Sequence, residues 1–266
     1  MIAARSVRRQ PGLLSKCGRG DGAMDVLLLR LDAPLMSFGT VQIDQHGRTQ
    51  NFPTQSMLTG LLANALGYGR NEGAKHQRLQ DRLRFAVRCD REGAPLLDFQ
   101  TADLSQDFLR VGWTTSGHPE GREGGSAGTG TTIRYRHYLA DAVYTVGIVL
   151  IPSNEEPRLM DISSALNEPQ RPLYIGRKPC LPSTPVYLMT VQAESVREAV
   201  VHAPSINSTR RRNSDPVSMW WPESDGANDG WLMVVTDERD WENRVHVGRR
   251  YLRAGRVLIE EAADVS

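Results

Sequence analysis

The chain of 266 residues is poor in lysine and has no long apolar run. Its lysines are Lys16, Lys75 and Lys178, so arginine carries nearly all of the positive charge. The planar guanidinium fork of arginine suits phosphates and base edges, although a GC-rich genome would enrich arginine for other reasons. No stretch approaches the roughly 20 apolar residues that cross a bilayer, so we predict no membrane association.

Cysteine is also scarce and its spacing is uninformative. Cys17, Cys89 and Cys180 are odd in number and far apart, which predicts neither a zinc site nor a disulfide framework. We therefore expect a cytoplasmic protein, since reduced thiols persist there. No histidine pairs with another histidine or a cysteine at metal-ligand spacing, and we predict no metal or other cofactor.

Familiar catalytic motifs are missing as well. The chain contains no G-x-S-x-G elbow, no H-E-x-x-H pair, no Walker loop and no Rossmann fingerprint. The formal net charge is only +1, so a nucleic-acid surface would require uneven placement of charge. These absences disfavour the common enzyme classes and leave a binding function open.

The hydrophobic pattern predicts a mixture of strands and helices. Residues 24–35 read as a buried strand, and 54–66 form an apolar helical repeat that ends at Gly67. Further strands are predicted at 85–91 and 96–104, and one long or two shorter strands at 133–151 with a bend near Ala140 and Asp141. Residues 160–168 and VREAVV suggest short helices, and 230–238 suggests a strand. This order fits an α+β, ferredoxin-like core with an inserted hairpin and an irregular C-terminal part.

Two segments lack core-forming composition. Residues 1–23 are expected to be a disordered leader, or translation upstream of a start at Met24, without a function. Six glycines lie between Gly117 and Gly130 with hardly any apolar residue, which predicts a mobile loop.

The string RYRHY at 134–138 carries the best binding signal. On a strand, Arg134, Arg136 and Tyr138 would share one face, and Tyr135 and His137 the other. Arginine on phosphate beside a stacking aromatic ring is how single-stranded RNA is held. A solvated edge strand would have the same composition. A metal-free ribonuclease could use such a histidine or tyrosine for proton transfer.

Two loops offer weaker signals of phosphate binding. In GRK at 176–178, glycine permits close approach of the backbone, and two cations follow it. At PTQS, N–H groups at a helix start could point at an anion, or the motif could be an ordinary cap. The arginines at 210–212 read as a solvated charge run.

Six segments in order resemble the CasD family of CRISPR-associated proteins. They are LLLRLDAPLMSFG, FPTQSMLTGLLANALGY, FAVRCDREG, LLDFQTADL, RHYLADAVYTVGIVL and PLYIGRKPCLPSTPVYL. The resemblance covers about residues 24–190 and leaves the C-terminal residues undiagnosed.

The resemblance implies a non-catalytic subunit of a type I-E Cascade complex that holds the 5′ handle of CRISPR RNA (crRNA). It implies a ferredoxin-like (RRM-related) palm over 24–190, a β-hairpin thumb inserted at about 96–137, and a β-rich C-terminal region over 191–266. The implied partners are the crRNA handle, the backbone subunit CasC, the large subunit CasA, and target DNA through the complex. Cleavage of the guide would belong to a separate subunit, CasE.

The candidate RNA-binding residues combine these signals with the resemblance. They are Arg48, Thr54, Gln55, Ser56, Arg110, Arg134, Arg136, His137, Arg177 and Lys178. The family usually reads PTRSG where this chain reads PTQSM, so Gln55 replaces a cation of the family motif, while the basic pair of GRKPC is present as Arg177 and Lys178.

Two alternatives remain at this point. In type I-C systems the homologous subunit processes the guide, and a metal-independent endoribonuclease would have to use Tyr135, His137 or His46 with Arg136. A protein-interaction module without an RNA role would bind its partners with little dependence on salt.

Overall fold

The computed structural model describes residues 22–42, 44–103, 111–113, 118–121, 131–205, 215–225 and 229–259. The helices within these ranges are α1 (Gln55–Ala65), α2 (Gly73–Arg82), α3 (Leu159–Asn167) and α4 (Val196–Val201). The strands are β1 (Met24–Asp32), β2 (Leu35–Met36), β3 (His46–Gly47), β4 (Leu83–Arg91), β5 (Ala94–Asp103), β6 (Val111–Trp113), β7 (Pro119–Gly121), β8 (Thr131–Ala140), β9 (Val143–Leu150), β10 (Tyr187–Ala193), β11 (Val217–Pro222), β12 (Trp231–Val235), β13 (Glu238–Asp240), β14 (Val245–Val247) and β15 (Arg250–Val257).

Several predictions fall outside the described residues. Arg110, residues 1–21, the arginines at 210–212 and most of the glycine-rich segment are among these.

A seven-stranded sheet forms the body of the protein, in the order β10-β1-β9-β4-β11-β15-β12. Among the described residues, neighbouring strands of this sheet pair antiparallel. β1 and β9 read as nearly continuous apolar runs because both of their faces are buried, and β4 is also buried along most of its length although it includes the polar residues Arg88 and Asp90. The fold is therefore a mixed α and β structure with large antiparallel sheets and few helices.

One face of the sheet is covered by α1 and α3. The apolar repeat of α1, with Leu58 and Leu62 fully buried, packs in one core with Leu29, Val87 and Ile148 from the strands. α1 also contacts α2, so nearly all of its surface is buried. This burial explains why the helix is apolar on more than one side.

The opposite face is covered by the short helix α4. Val196, Ala199 and Val200 of α4 pack on Val26 and Leu28 of β1. Arg88 of β4 lies fully buried beside this helix, and its Nη1 donates to the carbonyls of Val200 and Ala203 at 2.6 and 2.9 Å. A cation thus lies at the C-terminus of α4, where the helix dipole favours a positive charge.

A second sheet is built on a long hairpin. β5 pairs with β8 in antiparallel register from Ala94↔Ala140 to Asp103↔Thr131. β2 and β3 both pair with β8 as well. Asp141, at φ 59°, separates β8 from β9, so the sequence at 133–151 forms two strands bent at the predicted place.

The C-terminal part continues the main sheet. β11 pairs with β4, β15 with β11, and β12 with β15. Phe52, which precedes α1, packs in a small core with Val235 and Leu252. The predicted boundary at residue 190 falls inside β10.

The pattern missed several elements. α2 and β11 were not predicted. The tail sequence RVHVGRRYLRAGRVLIE is basic and alternates along its length, and in the structure it divides into β14 and β15. None of the described helices is long and apolar enough to cross a membrane.

Candidate nucleic-acid interface

A groove of about 880 Å³ lies between α1, the segment that joins β2 to β3, the loop at 174–177 and the hairpin β13–β14. Arginine and aromatic side chains from all parts of the chain line it. They include Arg48, Tyr174, Arg177, Arg239, Trp241, Arg244 and His246. A concave surface that combines guanidinium groups with rings suits a single-stranded nucleic acid.

The loop at 174–180 is fixed by its glycine. Gly176 has φ +104°, and an added Cβ would lie 1.8 Å from the carbonyl oxygen of Ser37. The backbone N–H of Ser37 donates to the carbonyl of Ile175 at 3.2 Å, and the N–H of Ile175 donates across the turn to the carbonyl of Cys180 at 2.8 Å. The loop that contains GRK therefore packs against the end of β2, and Ile175 and Cys180 are buried in this contact.

Arg177 crosses from this loop to the second sheet. Its Nη1 donates to the carbonyl of His137 at 2.8 Å, and its Nη2 donates to the carbonyl of Gly47 at 2.6 Å. Its guanidinium also lies 5.0 Å from the ring centre of Tyr138. Arg177 thus joins the loop to β3 and β8 while it lines the groove, whereas Lys178 is exposed.

Arg136 lies against the same glycine as Arg177. The nearest atoms to a Cβ placed on Gly47 would be Nη2 of Arg177 at 2.6 Å and Nη1 of Arg136 at 2.8 Å. The absence of a side chain at Gly47 therefore allows two guanidinium groups to lie side by side at the groove floor. Two adjacent cations favour an anion above them.

The start of α1 corresponds to the second of the two alternatives for PTQS, a capped helix. The N–H of Gln55 donates to Oδ2 of Asp237 at 2.9 Å, and the N–H of Ser56 donates to the carbonyl of Asp237 at 3.0 Å. These N–H groups are satisfied by a residue of the chain itself, so they are not free to bind an external anion.

The side chains at this helix start are mostly unavailable to a ligand too. Gln55 is buried, and its Nε2 donates to the carbonyls of Gln80 and Leu83 at 2.8 and 3.2 Å. Thr54 is fully buried, and within the described structure its hydroxyl makes no capping hydrogen bond. Ser56 alone lines the groove, with its Oγ 3.4 Å from Nε2 of His246.

The faces of β8 agree with the strand prediction. The ring of His46 stacks on Tyr135 at a centroid distance of 4.5 Å and lies 5.9 Å from His137. Arg136 instead points towards Gly47 and Arg177, together with Tyr138. Arg134 is exposed on this second face.

The predicted residues are therefore only partly brought together. Arg48, Ser56 and Arg177 line the groove, and Arg136 reaches its floor through Gly47. Arg134 and His137 lie on β8 outside the lining, and Thr54 and Gln55 lie beneath it.

Sequence reasoning missed the wall formed by β13–β14. Arg239, Trp241, Arg244 and His246 all come from the C-terminal region that carried no motif. The only signal there was the basic, alternating composition of the tail. Burial, followed by the nearby charge of Arg239, lowers the pKa of His246.

The face of the main sheet opposite α1 is covered by α4, which lies so close that a Cβ on Gly147 would meet Val200 at 2.7 Å. This face therefore offers no open sheet surface at α4, whereas the groove is concave and lined by arginines. Among the described residues, no group of three or more His, Cys, Asp or Glu side chains could hold a metal ion.

The comparisons with known proteins identify the class. The profile of the CRISPR-associated protein (Cas_Cas5) family matches residues 26–253. The chain belongs to this Cas5 family of CRISPR-associated proteins. The match extends past the last motif at about residue 190, so it includes β11 to β14 and the first half of β15.

The individual relatives agree with the CasD resemblance. The chain is 32% identical to the CRISPR system Cascade subunit CasD of Escherichia coli (strain K12) over 176 residues, which are 66% of this chain and 75% of CasD. A chain of a CRISPR RNA-guided surveillance complex is 27% identical at a TM-score of 0.65, with 90% of this chain and 95% of that one covered. A crystal structure of a Cas protein matches at 27% identity and a TM-score of 0.57, over 88% and 95% of the two chains.

Proposed function

We propose that the protein is the Cascade subunit that holds the repeat-derived 5′ handle of crRNA in its groove. The observation that carries this proposal is the pair of guanidinium groups of Arg136 and Arg177 over Gly47. Exposed Arg48 and Lys178 lie on the segments that flank this pair and add positive charge. The family membership and the similarity to CasD and to a surveillance complex support the same role.

The proposed palm is ferredoxin-like. β1, β4, β9 and β10, with α1 and α3 between them in the chain, lie in the spatial order β10-β1-β9-β4. Counted as four palm strands, this is the order fourth, first, third, second that a split βαβ arrangement produces. The hairpin β5–β8 would be the thumb.

The assembly partners follow from the same proposal. The protein would sit in the cytoplasm at one end of the complex, with its hairpin towards the backbone subunit CasC and the large subunit CasA nearby. It would contact target DNA only through the complex. Leu97 and Phe99 on the hairpin are 54% and 56% exposed, which leaves apolar surface for a neighbour.

Recognition of the handle would use phosphates and bases differently. Arginine contacts to phosphates would fix the strand and give a steep dependence on salt. Bases turned out of the stack could be read on their edges, so the repeat and not the spacer would be recognised.

Equilibrium binding tests the proposal. The full chain is titrated into labelled RNA of the repeat-derived handle, a scrambled RNA of equal length and a spacer RNA, over a series of salt concentrations. Tight, salt-dependent binding with preference for the handle supports the role. Equal affinity for all three RNAs, or none for any, contradicts it.

A second candidate is a metal-independent endoribonuclease that processes the guide. The grouping of His46, Tyr135 and His137 on one face of β8 favours it, since such rings can transfer protons. Arg136, however, points to the other face, so it does not complete the set. Incubation of repeat RNA with the protein in the presence of EDTA distinguishes the two candidates. A unique cleavage product supports a nuclease, and bound RNA that stays intact contradicts nuclease activity.

A further inference from the structure

The hairpin β13–β14 is attached rigidly to the helices. Gln80 of α2 exchanges two hydrogen bonds with the backbone of Arg239, at 2.9 and 3.0 Å, and accepts another from Nε1 of Trp241 at 3.0 Å. The ring of Trp241 stacks on His76 at 4.8 Å. The hairpin is therefore held as a fixed wall, and the positions of its arginines are defined.

Three arginines gather at the turn end of this wall. Nη2 of Arg239 donates to the carbonyl of Arg244 at 2.9 Å, and Nη2 of Arg244 reaches the carbonyl of Arg70 at 3.2 Å. Burial lowers the pKa of Arg239, and the charges of Arg244 and Arg70 lower it further. Because these like charges repel, an anion among them would be bound favourably.

The backbone of Arg244 has φ 61°, in the left-handed region where glycine and asparagine are the usual residues. Asp240 stabilises the turn by accepting hydrogen bonds from the N–H groups of Glu242 and Asn243. The turn thus holds Arg244 at the edge of the groove, and the side chain of Arg244 adds its contact to the carbonyl of Arg70.

The cluster also lies where two concave surfaces meet. Trp241 and Arg244 line the groove and, on their other side, a cleft of about 800 Å³ against α2 that includes Arg70. The cleft contains carboxylates as well, those of Asp81, Asp240 and Glu242. A strand that leaves the groove at this end would pass over the three arginines first.

We propose that Arg70, Arg239 and Arg244 form a second phosphate-binding site for the RNA, at the opposite wall of the groove from Arg48. The inference rests on the proposed function and extends it. It assigns to the C-terminal hairpin the task of fixing the path of the strand, while the pair at Gly47 fixes another point.

Arg244→Asn is the central test variant, because asparagine keeps the left-handed turn and removes the charge. Binding of handle RNA to the full chain is measured against salt. We expect about tenfold weaker binding at low salt and a slope of log K against log salt smaller by about 0.7 for each lost phosphate contact. Arg70→Ala should have the same effect, and Arg244→Lys should retain most of the slope.

Arg84→Gln is the matched control, since Arg84 is exposed on β4 and lies outside both clefts. An unchanged slope in Arg84→Gln and a reduced slope in Arg244→Asn support the site. An unchanged slope in Arg244→Asn, or equal reductions in both variants, overturns it. The wild-type titration reports on the proposed function separately, because absent handle binding there would refute that function before any variant is compared.

Discussion

Arg250 holds Asp237 with both arms of its guanidinium group, with Nε 3.0 Å from Oδ1 and Nη2 2.6 Å from Oδ2. The same Oδ2 accepts the N–H of Gln55 at the start of α1. A carboxylate from the C-terminal region thus caps a helix that lies 182 residues earlier in the chain. The groove depends on this contact, since it fixes α1 relative to β13–β14.

Asp237→Asn should therefore destabilise the protein. The substitution leaves Arg250 without its charged partner in a site where Asp237 is 2% exposed, and we expect a loss of about 3 kcal/mol. Urea unfolding of the full chain measures it. Asp81→Asn, which removes an exposed carboxylate, is the control and should change stability little. Equal stability of the two variants would show that the cap contributes nothing.

Gly176→Ala should disrupt the loop that carries Arg177. A methyl group there meets the Ser37 carbonyl, and the backbone has φ +104°. We expect a loss of at least about 2 kcal/mol, measured by thermal or urea unfolding. Gly39→Ala is the matched control because an added Cβ at Gly39 meets nothing within 4 Å. A variant as stable as this control would contradict the described loop.

Substitutions of Arg177 and of Lys178, the two cations of GRK, should affect different properties of the protein. Arg177→Lys should lower both stability and RNA affinity, because an ammonium group cannot reach the carbonyls of Gly47 and His137 at once. Lys178→Ala should leave the unfolding midpoint unchanged and only reduce the salt dependence of RNA binding. Parallel unfolding and titration experiments check both. Identical behaviour of the two variants would mean that Arg177 has no structural role.

His246 should make stability fall as the pH is lowered. Its folded-state pKa lies below the ordinary value of 6.5, chiefly through burial, so the unfolded chain binds the proton more readily. The contribution is present above pH 6.5 and is lost as the pH falls below it. Urea unfolding from pH 7.5 to 5 measures the slope, and His246→Asn should show a shallower one. Equal slopes would exclude a contribution from His246.

Local patterns were enough to predict much of the fold. The apolar repeat that ends at Gly67 gives α1, and the alternation of RYRHY places Arg136 and Tyr135 on opposite faces of β8. Motifs in order indicated the family without any structure. These features depend on neighbours close in sequence, where the periods of helix and strand apply.

The rest of the site depends on contacts between distant residues. No local sequence pattern shows that Asp237 caps α1, or that the side-chain amide of Gln55 donates to the carbonyl of Gln80. β13 and β14 have three residues each, too few for a pattern to define a strand, so their place in the groove wall follows only from the docking of Trp241 and Gln80. The role of Gly47 follows only from the structure, in which the side chains of Arg136 and Arg177 both lie against it.

The RNA that accompanies the protein tests the central claim most directly. The tagged chain is purified with its operon partners, with and without the separate nuclease subunit, and the 5′ ends of bound RNA are mapped by sequencing. The account predicts short RNAs that share one repeat-derived 5′ handle, found only when the nuclease subunit is present. The same trimmed RNA from this chain alone would make it the nuclease, and the absence of RNA from both preparations would contradict a handle-binding role.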